Sequence, residues 1–389
     1  VRAVAITIGC GLALCAGLLT DVGAQNPPAQ APQTPPAAPA PPETIFERQW
    51  NHTVTYKSGP DGNPIVPEQI GIAAGKHRVF VSDNESGVEA RAVIDGAPAW
   101  QAALPSDLPV AVAGAQIFVS SAKQIHALDE ATGQVRWSRP VDSALVALIA
   151  HGAGALTASE YTVRSWSADG AVVWERTLAA RVGRGLIAVD GTQVYVGLTN
   201  LTLVALDATA GTDRWIEQIG TLPRAFTATG GKLYFGGEDR RLHAYDRDGG
   251  RDWRYNREEV VGAPAVDDKH VYVALWDNTI VAHSKGGKIE WREGLEDRPA
   301  HGPILSGDRI ATILRSDRIV TMPLKPGKPA AVRGGPPAPA RAGAPAEAPA
   351  VERSRSQVFA ATPSVDGSQI FAVIQLENRV RIVVAYKRT

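Results

Sequence analysis

A tryptophan placed four residues after a glycine recurs six times along this chain, at nearly even spacing. The pairs are Gly96/Trp100, Gly133/Trp137, Gly170/Trp174, Gly211/Trp215, Gly249/Trp253 and Gly287/Trp291, and successive tryptophans are 37, 37, 41, 38 and 38 residues apart. A fixed period near 40 residues with one aromatic per unit is the signature of a repeat architecture. Within the unit around Trp137, Pro109 to Val112 offers a strand, and Ile117-Phe118-Val119-Ser120 and Gln124 to Leu128 read as a hairpin. Asp129 to Gly133 makes a turn, because Asp bonds its own downstream backbone and Gly accepts positive φ. Gln134 to Trp137 then starts another strand. Four short antiparallel strands per unit is the content of one propeller blade.

The same order returns at Val194–Trp215, Leu233–Trp253 and Val271–Trp291. A seventh unit, from Gly302 through Ile310–Ile313 to Arg318–Thr321, lacks the tryptophan. An eighth, from Thr362 to Tyr386, runs out before its outer strand, while Phe46 to Trp50 offers a spare strand ahead of the first full unit. The expectation is an all-β, eight-bladed β-propeller of four-stranded antiparallel blades, closed by that N-terminal strand. Closure removes free sheet edges. Seven blades is the alternative count if the tryptophan-less unit is irregular.

Ala127-Leu128-Asp129-Glu130-Ala131-Thr132-Gly133-Gln134-Val135-Arg136-Trp137 fits the pattern A-x-D-x-x-T-G-x-x-x-W, and Ala205 to Trp215 fits with Ala210 in place of Thr. This resembles the tryptophan-docking repeat of pyrroloquinoline quinone (PQQ)-like propellers, over roughly residues 45–389. The resemblance implies that Trp100, Trp137, Trp174, Trp215, Trp253 and Trp291 each pack on the neighbouring blade as structural residues. In repeat type, blade number and size the chain resembles the BamB family of outer-membrane assembly factors within that class. That resemblance implies a periplasmic protein-protein interaction scaffold, with a partner in the outer-membrane β-barrel assembly machinery.

The remaining segments bear on compartment. Arg2, the apolar stretch Ala3–Leu19 and the small residues Val22-Gly23-Ala24 read as a secretory signal over residues 1–24, cleaved near Ala24. An uncleaved anchor and a lipoprotein are the alternatives. Lipid attachment needs a small residue before the cysteine; Leu14 precedes Cys15, and the apolar run before Gly9-Cys10 is short. After cleavage no cysteine, and so no disulfide, would remain. Residues 25–44 are a Pro/Ala-rich linker expected to be disordered and extended, on the order of 50 Å long. A second Pro/Ala-rich stretch, 334–350, is expected to loop out of the seventh unit.

Chemistry is sparse. Basic and acidic residues balance at 40 each, which gives no support for a nucleic-acid partner. His126 and His243 hold the same repeat position and are expected on a solvated strand face; Asp129, Asp207 and Asp246 are expected as turn residues. The enzymatic alternative is a PQQ-dependent dehydrogenase of alcohols or sugars, which would need PQQ and calcium. The adjacent cysteines many such enzymes carry are absent, and no calcium-binding set can be placed. A third alternative, a glycan or cell-wall binding module, would want a channel lined by aromatics.

Binding is therefore expected on the face formed by the turns between second and third strands, together with the blade-to-blade connections. Those turns offer Lys123, Asn200, Arg240, Arg241, Trp276, Asp277, Arg315 and Arg318. Trp276 lies outside the docking frame, and a tryptophan near arginines has the composition of a binding hot spot. The leading expectation is a non-catalytic, cofactor-free monomer that binds a protein through this face and has no transmembrane span once the signal is removed.

Overall fold

The computed structural model describes residues 46–54, 59–60, 65, 67, 69–256, 259–315, 319–324, 357–363, 367–375 and 381–388. The signal (1–24), the linker (25–44), the insertion (334–350) and Arg318 lie outside the described residues. No helix is present among the described residues; strands form eight separate antiparallel sheets. Blade 1 runs through Ile70–Ala74, Arg78–Asp83, Gly87–Ala92 and Pro98–Ala102, from the innermost strand outward. Blades 2 to 6 repeat this order over residues 111–140, 147–177, 182–218, 223–256 and 260–294. Blade 7, over 304–323, holds three strands among the described residues. Blade 8 is built from Gln357–Pro363, Gln369–Gln375 and Arg381–Arg388, and its outermost strand is the N-terminal Phe46–Thr53. The expected eight-bladed ring and its N-terminal closure are both observed.

Burial explains why these segments are strands. In blade 4 the second strand, Gln193–Leu198, is buried at every position, whereas the fourth, Asp213–Gln218, is exposed apart from its half-buried tryptophan. The apolar residues gather between blades, and each adjacent pair shares one wedge of core. Tyr195, Leu203 and Ala205 of blade 4 meet Leu233, Phe235 and Tyr245 of blade 5. Trp50, Phe371 and Val383 of blade 8 meet Ile72, Val79 and Val81 of blade 1. That last wedge closes the ring, so hydrophobic burial itself opposes opening at the N-terminal strand.

The tryptophans hold neighbouring blades together, but not each through its own glycine. Trp174 of blade 3 lies over Gly211 of blade 4, and Trp137 lies over Gly170. Trp100, Trp215 and Trp253 lie in the same way over Gly133, Gly249 and Gly287 of the blade that follows. Each indole N–H donates to a backbone carbonyl of that next blade, as Trp174 does to Ala208 at 2.8 Å and Trp253 to Lys285 at 2.7 Å. Trp50 joins the set. It pairs with Ala385 in the register that Trp100 takes with Ala90, covers Gly96 and donates to the Val93 carbonyl at 3.2 Å. Trp291 donates to the Leu324 carbonyl of blade 7 at 3.1 Å.

The glycines are needed twice over. Gly211 has φ of 70°, a left-handed conformation costly for other residues, and a Cβ there would stand 2.5 Å from Trp174 Cε3. Gly211→Ala is accordingly expected to cost about 1–3 kcal/mol through backbone strain and displacement of the indole. Urea unfolding monitored by tryptophan fluorescence checks this.

The repeat aspartates behave as turn residues. Asp129 Oδ1 accepts from the backbone amides of Ala131 and Thr132 at 3.0 and 2.9 Å. The Arg136 guanidinium beside it, with the Thr132 hydroxyl, holds its carboxyl at about 2. Asp207 repeats the arrangement with Thr209, Ala210 and Arg214.

The histidines differ from expectation. His126 and His243 are buried, at 8% and 2% exposure, rather than on a solvated face. Third strands are covered by the fourth strand at their edge and by neighbouring blades on their faces, so even a polar residue there is enclosed. His126 Nδ1 meets Ser138 Oγ at 2.7 Å; His243 Nε2 lies 3.1 Å from both Asp239 oxygens, its ring stacked on Phe235 at 5.0 Å.

Burial lowers the pKa of His126, His243 and the fully buried His283, so the folded state favours their neutral forms. The unfolded chain, with ordinary histidine values near 6.5, then takes up protons first as pH falls. These groups should leave stability intact above about pH 6.5 and reduce it as pH falls below that value. Thermal melts at about pH 7.5 and about pH 5 should show a lower Tm at the acid end, with a smaller difference in His243→Gln.

Candidate docking face

In blades 2, 4, 5 and 6 the turns between second and third strands share one geometry. Ala122, Leu201, Arg240 and Asn278 occupy the left-handed region with φ of 51°, 67°, 61° and 64°, each just ahead of a third strand. Leu201, Arg240 and Asn278 donate their amides back three residues, to Leu198, Gly237 and Leu275 at 3.1, 3.1 and 3.2 Å. A short hairpin loop ending in a left-handed residue is an established way to connect twisted strands.

Blade-to-blade connections bind these turns through their backbones. Val141 donates to Lys123 O at 2.9 Å, Ile219 to Leu201 O at 2.9 Å and Leu295 to Asn278 O at 2.7 Å. Turns and connections thus form one continuous face, as the strand order requires.

On that face Lys123, Asn200, Arg240, Trp276, Asp277 and Arg315 are exposed. Arg241 is half-buried and turned toward Asp239, at 3.5 Å. Asp277 is engaged by Arg292 and by the Thr279 hydroxyl, the latter at 2.5 Å.

Trp276 is the centre of the arrangement. It is 36% exposed, and the guanidinium carbons of Arg298 and Arg315 stand 5.1 and 5.0 Å from its ring centroid. Its amide donates to Glu259 O at 2.9 Å, and the Glu259 carboxylate pairs with Arg224. Arg315 donates its amide to Arg298 O at 2.9 Å, which fixes the two arginines relative to each other. A cation over an indole face contributes about 0.5–1 kcal/mol at an exposed site. The pair therefore orients the indole while leaving much of it exposed.

Arg298 was not among the residues singled out from the sequence; it lies in the connection from blade 6 to blade 7. Its one sequence signal was membership of a blade connection on the turn face. Lys123 and Asn200 stand on blades 2 and 4 of the same face, and no contact with Trp276 joins them to this cluster among the described residues.

Among the described residues no group of three or more His, Cys, Asp or Glu side chains is arranged to hold a metal ion. Of the innermost-strand aromatics whose side chains are described, Phe226 packs back on Phe235 with centroids 5.7 Å apart. No helix among the described residues is long and apolar enough to cross a membrane.

Eight blades, tryptophans docked on the next blade and turn aspartates in every full copy of the motif define a PQQ-like tryptophan-docking propeller. The profile of a family described as outer membrane protein assembly factor BamB matches residues 84–229 and 224–388. The chain belongs to that family. BamB of Yersinia pestis is 26% identical over 202 residues, which cover 46% of this chain and 51% of that protein. The chain thus spans about half the length of that curated relative. Among solved structures, BamB from Moraxella catarrhalis superimposes with a TM-score of 0.61 at 16% identity, covering 88% of this chain and 99% of that one. The computationally designed Ika8 protein reaches the same TM-score at 14% identity, over 82% and 96% of the two chains. A designed protein matching equally well shows that these superpositions speak for the fold alone.

Proposed function

We propose that this chain is a non-catalytic scaffold of the cell envelope that docks a protein component of the outer-membrane β-barrel assembly machinery on its turn face. The observation that carries the reading is Trp276, exposed and with the guanidinium groups of Arg298 and Arg315 over its ring, on a face whose turns are tied to the blade connections. A large aromatic anchor ringed by arginines is the composition that dominates binding energy at protein interfaces. Family membership supplies the partner class, since the family's description is that of an outer-membrane assembly factor. The chain reaches the periplasm on its N-terminal signal, is cleaved near Ala24 and works as a monomer.

Crosslinking of the tagged, full-length chain in its native envelope, followed by mass spectrometry, tests the reading. Capture of a β-barrel assembly component is the expected result. No reproducible capture, or capture of unrelated soluble enzymes alone, would count against it. The mass of the purified protein tests the cleavage site.

A further inference from the structure

The innermost strand of blade 4, Val182–Asp190, departs from its ladder more than any other described innermost strand. Val182 pairs with Leu198 and Ile187 with Val196, so four residues on one side stand against a single residue on the other. The extra residues form a bulge in the strand with Arg184 between Gly183 and Gly185, and Gly185 is in the left-handed region with φ of 71°. Arg184 is exposed, yet it reaches blades far from its own around the ring. Its Nη2 donates to Gln69 Oε1 at 2.5 Å, at the start of blade 1, and to the carbonyl of Asp107 at 2.7 Å, in the connection between blades 1 and 2. The guanidinium therefore spans the mouth of the central channel.

Arg184 and Asp107 line a cavity of about 310 Å³ together with Gln69, Ile70, Gly71, Ser106, Leu108 and Pro109. Both hydrogen-bond acceptors of Arg184 are neutral. No described carboxylate lies within ion-pair distance of it, and its Nε and Nη1 donors take no partner among the described residues. The Asp107 carboxylate is engaged elsewhere, accepting from the Ala122 amide at 3.1 Å. Nη2 of Arg184 spends its two N–H groups on the two neutral acceptors, and the Nε–H and Nη1–H groups are left to donate singly, by charge-assisted hydrogen bonds, to the oxygens of an anionic ligand.

We propose that the axial mouth is a carboxylate-binding site, in which Arg184 receives the carboxylate of a peptide terminus or of a free organic acid. The bulge holds the cation toward blade 1, and the two neutral acceptors fix its orientation without discharging it. The site is distinct from the Trp276 cluster and does not rest on the partner assignment.

The test uses the isolated full-length protein. Sodium succinate is titrated against sodium chloride at matched ionic strength while the backbone amide resonances of Gly183 and Gly185, present in wild type and variant alike, are followed by NMR. Parallel titrations use a short peptide with a free C-terminus and the same peptide amidated. The expected result is a saturable shift with succinate or with the free-terminus peptide, weakened about tenfold or more in Arg184→Gln. Succinate alone would assign the site to free acids, and preference for the free-terminus peptide over its amidated form would assign it to chain ends. No saturable shift, or equal binding by Arg184→Gln with an unchanged Tm, would overturn the proposal. A Tm loss in Arg184→Gln together with no binding by the wild-type protein would leave Arg184 as a cross-channel strut, and would overturn it too.

Discussion

Replacing Trp174 by alanine should lower the free energy of unfolding by about 3–5 kcal/mol, the range for emptying a buried aromatic site. Trp174 is 7% exposed, stands in the wedge between blades 3 and 4 and donates its indole N–H to Ala208 O at 2.8 Å. The variant leaves that carbonyl without its donor and uncovers Gly211, whose α-carbon the indole had covered. Blades touch only their neighbours in the docking seam, so loss at one seam weakens the closed ring as a whole. Trp215→Ala should cost less, because Trp215 is only half-buried in the equivalent seam. Denaturant unfolding of the two variants beside wild type gives the comparison. Combining Trp174→Ala with Gly211→Ala should cost less than the sum of the single changes, since the alanine methyl then occupies space the indole has vacated.

Trp276→Ala should act on binding instead. With the indole gone, the two arginines lose the ring they contact and the face loses its anchor. If the face docks the partner as proposed, affinity should fall by about 2–4 kcal/mol, the hot-spot range, while Tm stays within about 2 °C of wild type. Arg315→Ala should give a smaller loss in the same assay. A quantitative pull-down or biolayer measurement, run beside a thermal melt, separates the two effects. A large drop in Tm would mean that Trp276 is a packing residue whose exposed edge is incidental.

Much of the fold was legible in the sequence because its determinants are local and periodic. The turn Asp129 to Gly133 and the alternating run before it carry their own geometry, and repetition at a fixed period multiplies a weak signal. Even the closing strand could be read, since blade 8 lacks an outer strand and Phe46–Trp50 supplies one. Contacts between units were less legible. A glycine four residues before a tryptophan invites the idea that the two serve each other, whereas Gly133 receives Trp100 and Gly170 receives Trp137. For the same reason Trp50, separated from its motif's glycine, did not register as a docking residue. His126 and His243 were misplaced because polarity suggested solvent, while their strand position enclosed them.

The docking face was legible as a set of turns but not as a cluster. Trp276 and Arg315 stood out by composition, yet Arg298 lies in a connection whose approach to Trp276 depends on the packing of blade 7 against blade 6. Arg184 is the extreme case. Its partners are 115 and 77 residues away across the ring, and nothing in a linear pattern marks such a contact.

Site-specific photo-crosslinking in the native envelope tests the central claim most directly, with the photoreactive residue placed in turn at Lys123, Arg240 and Arg315 on the turn face and at Val135 and Ile216 on the exposed outer strands. Adducts with a β-barrel assembly component are expected from turn-face positions, lost when Trp276→Ala is added, and none from the outer strands. Adducts from the outer strands alone, or turn-face adducts indifferent to Trp276→Ala, would contradict it.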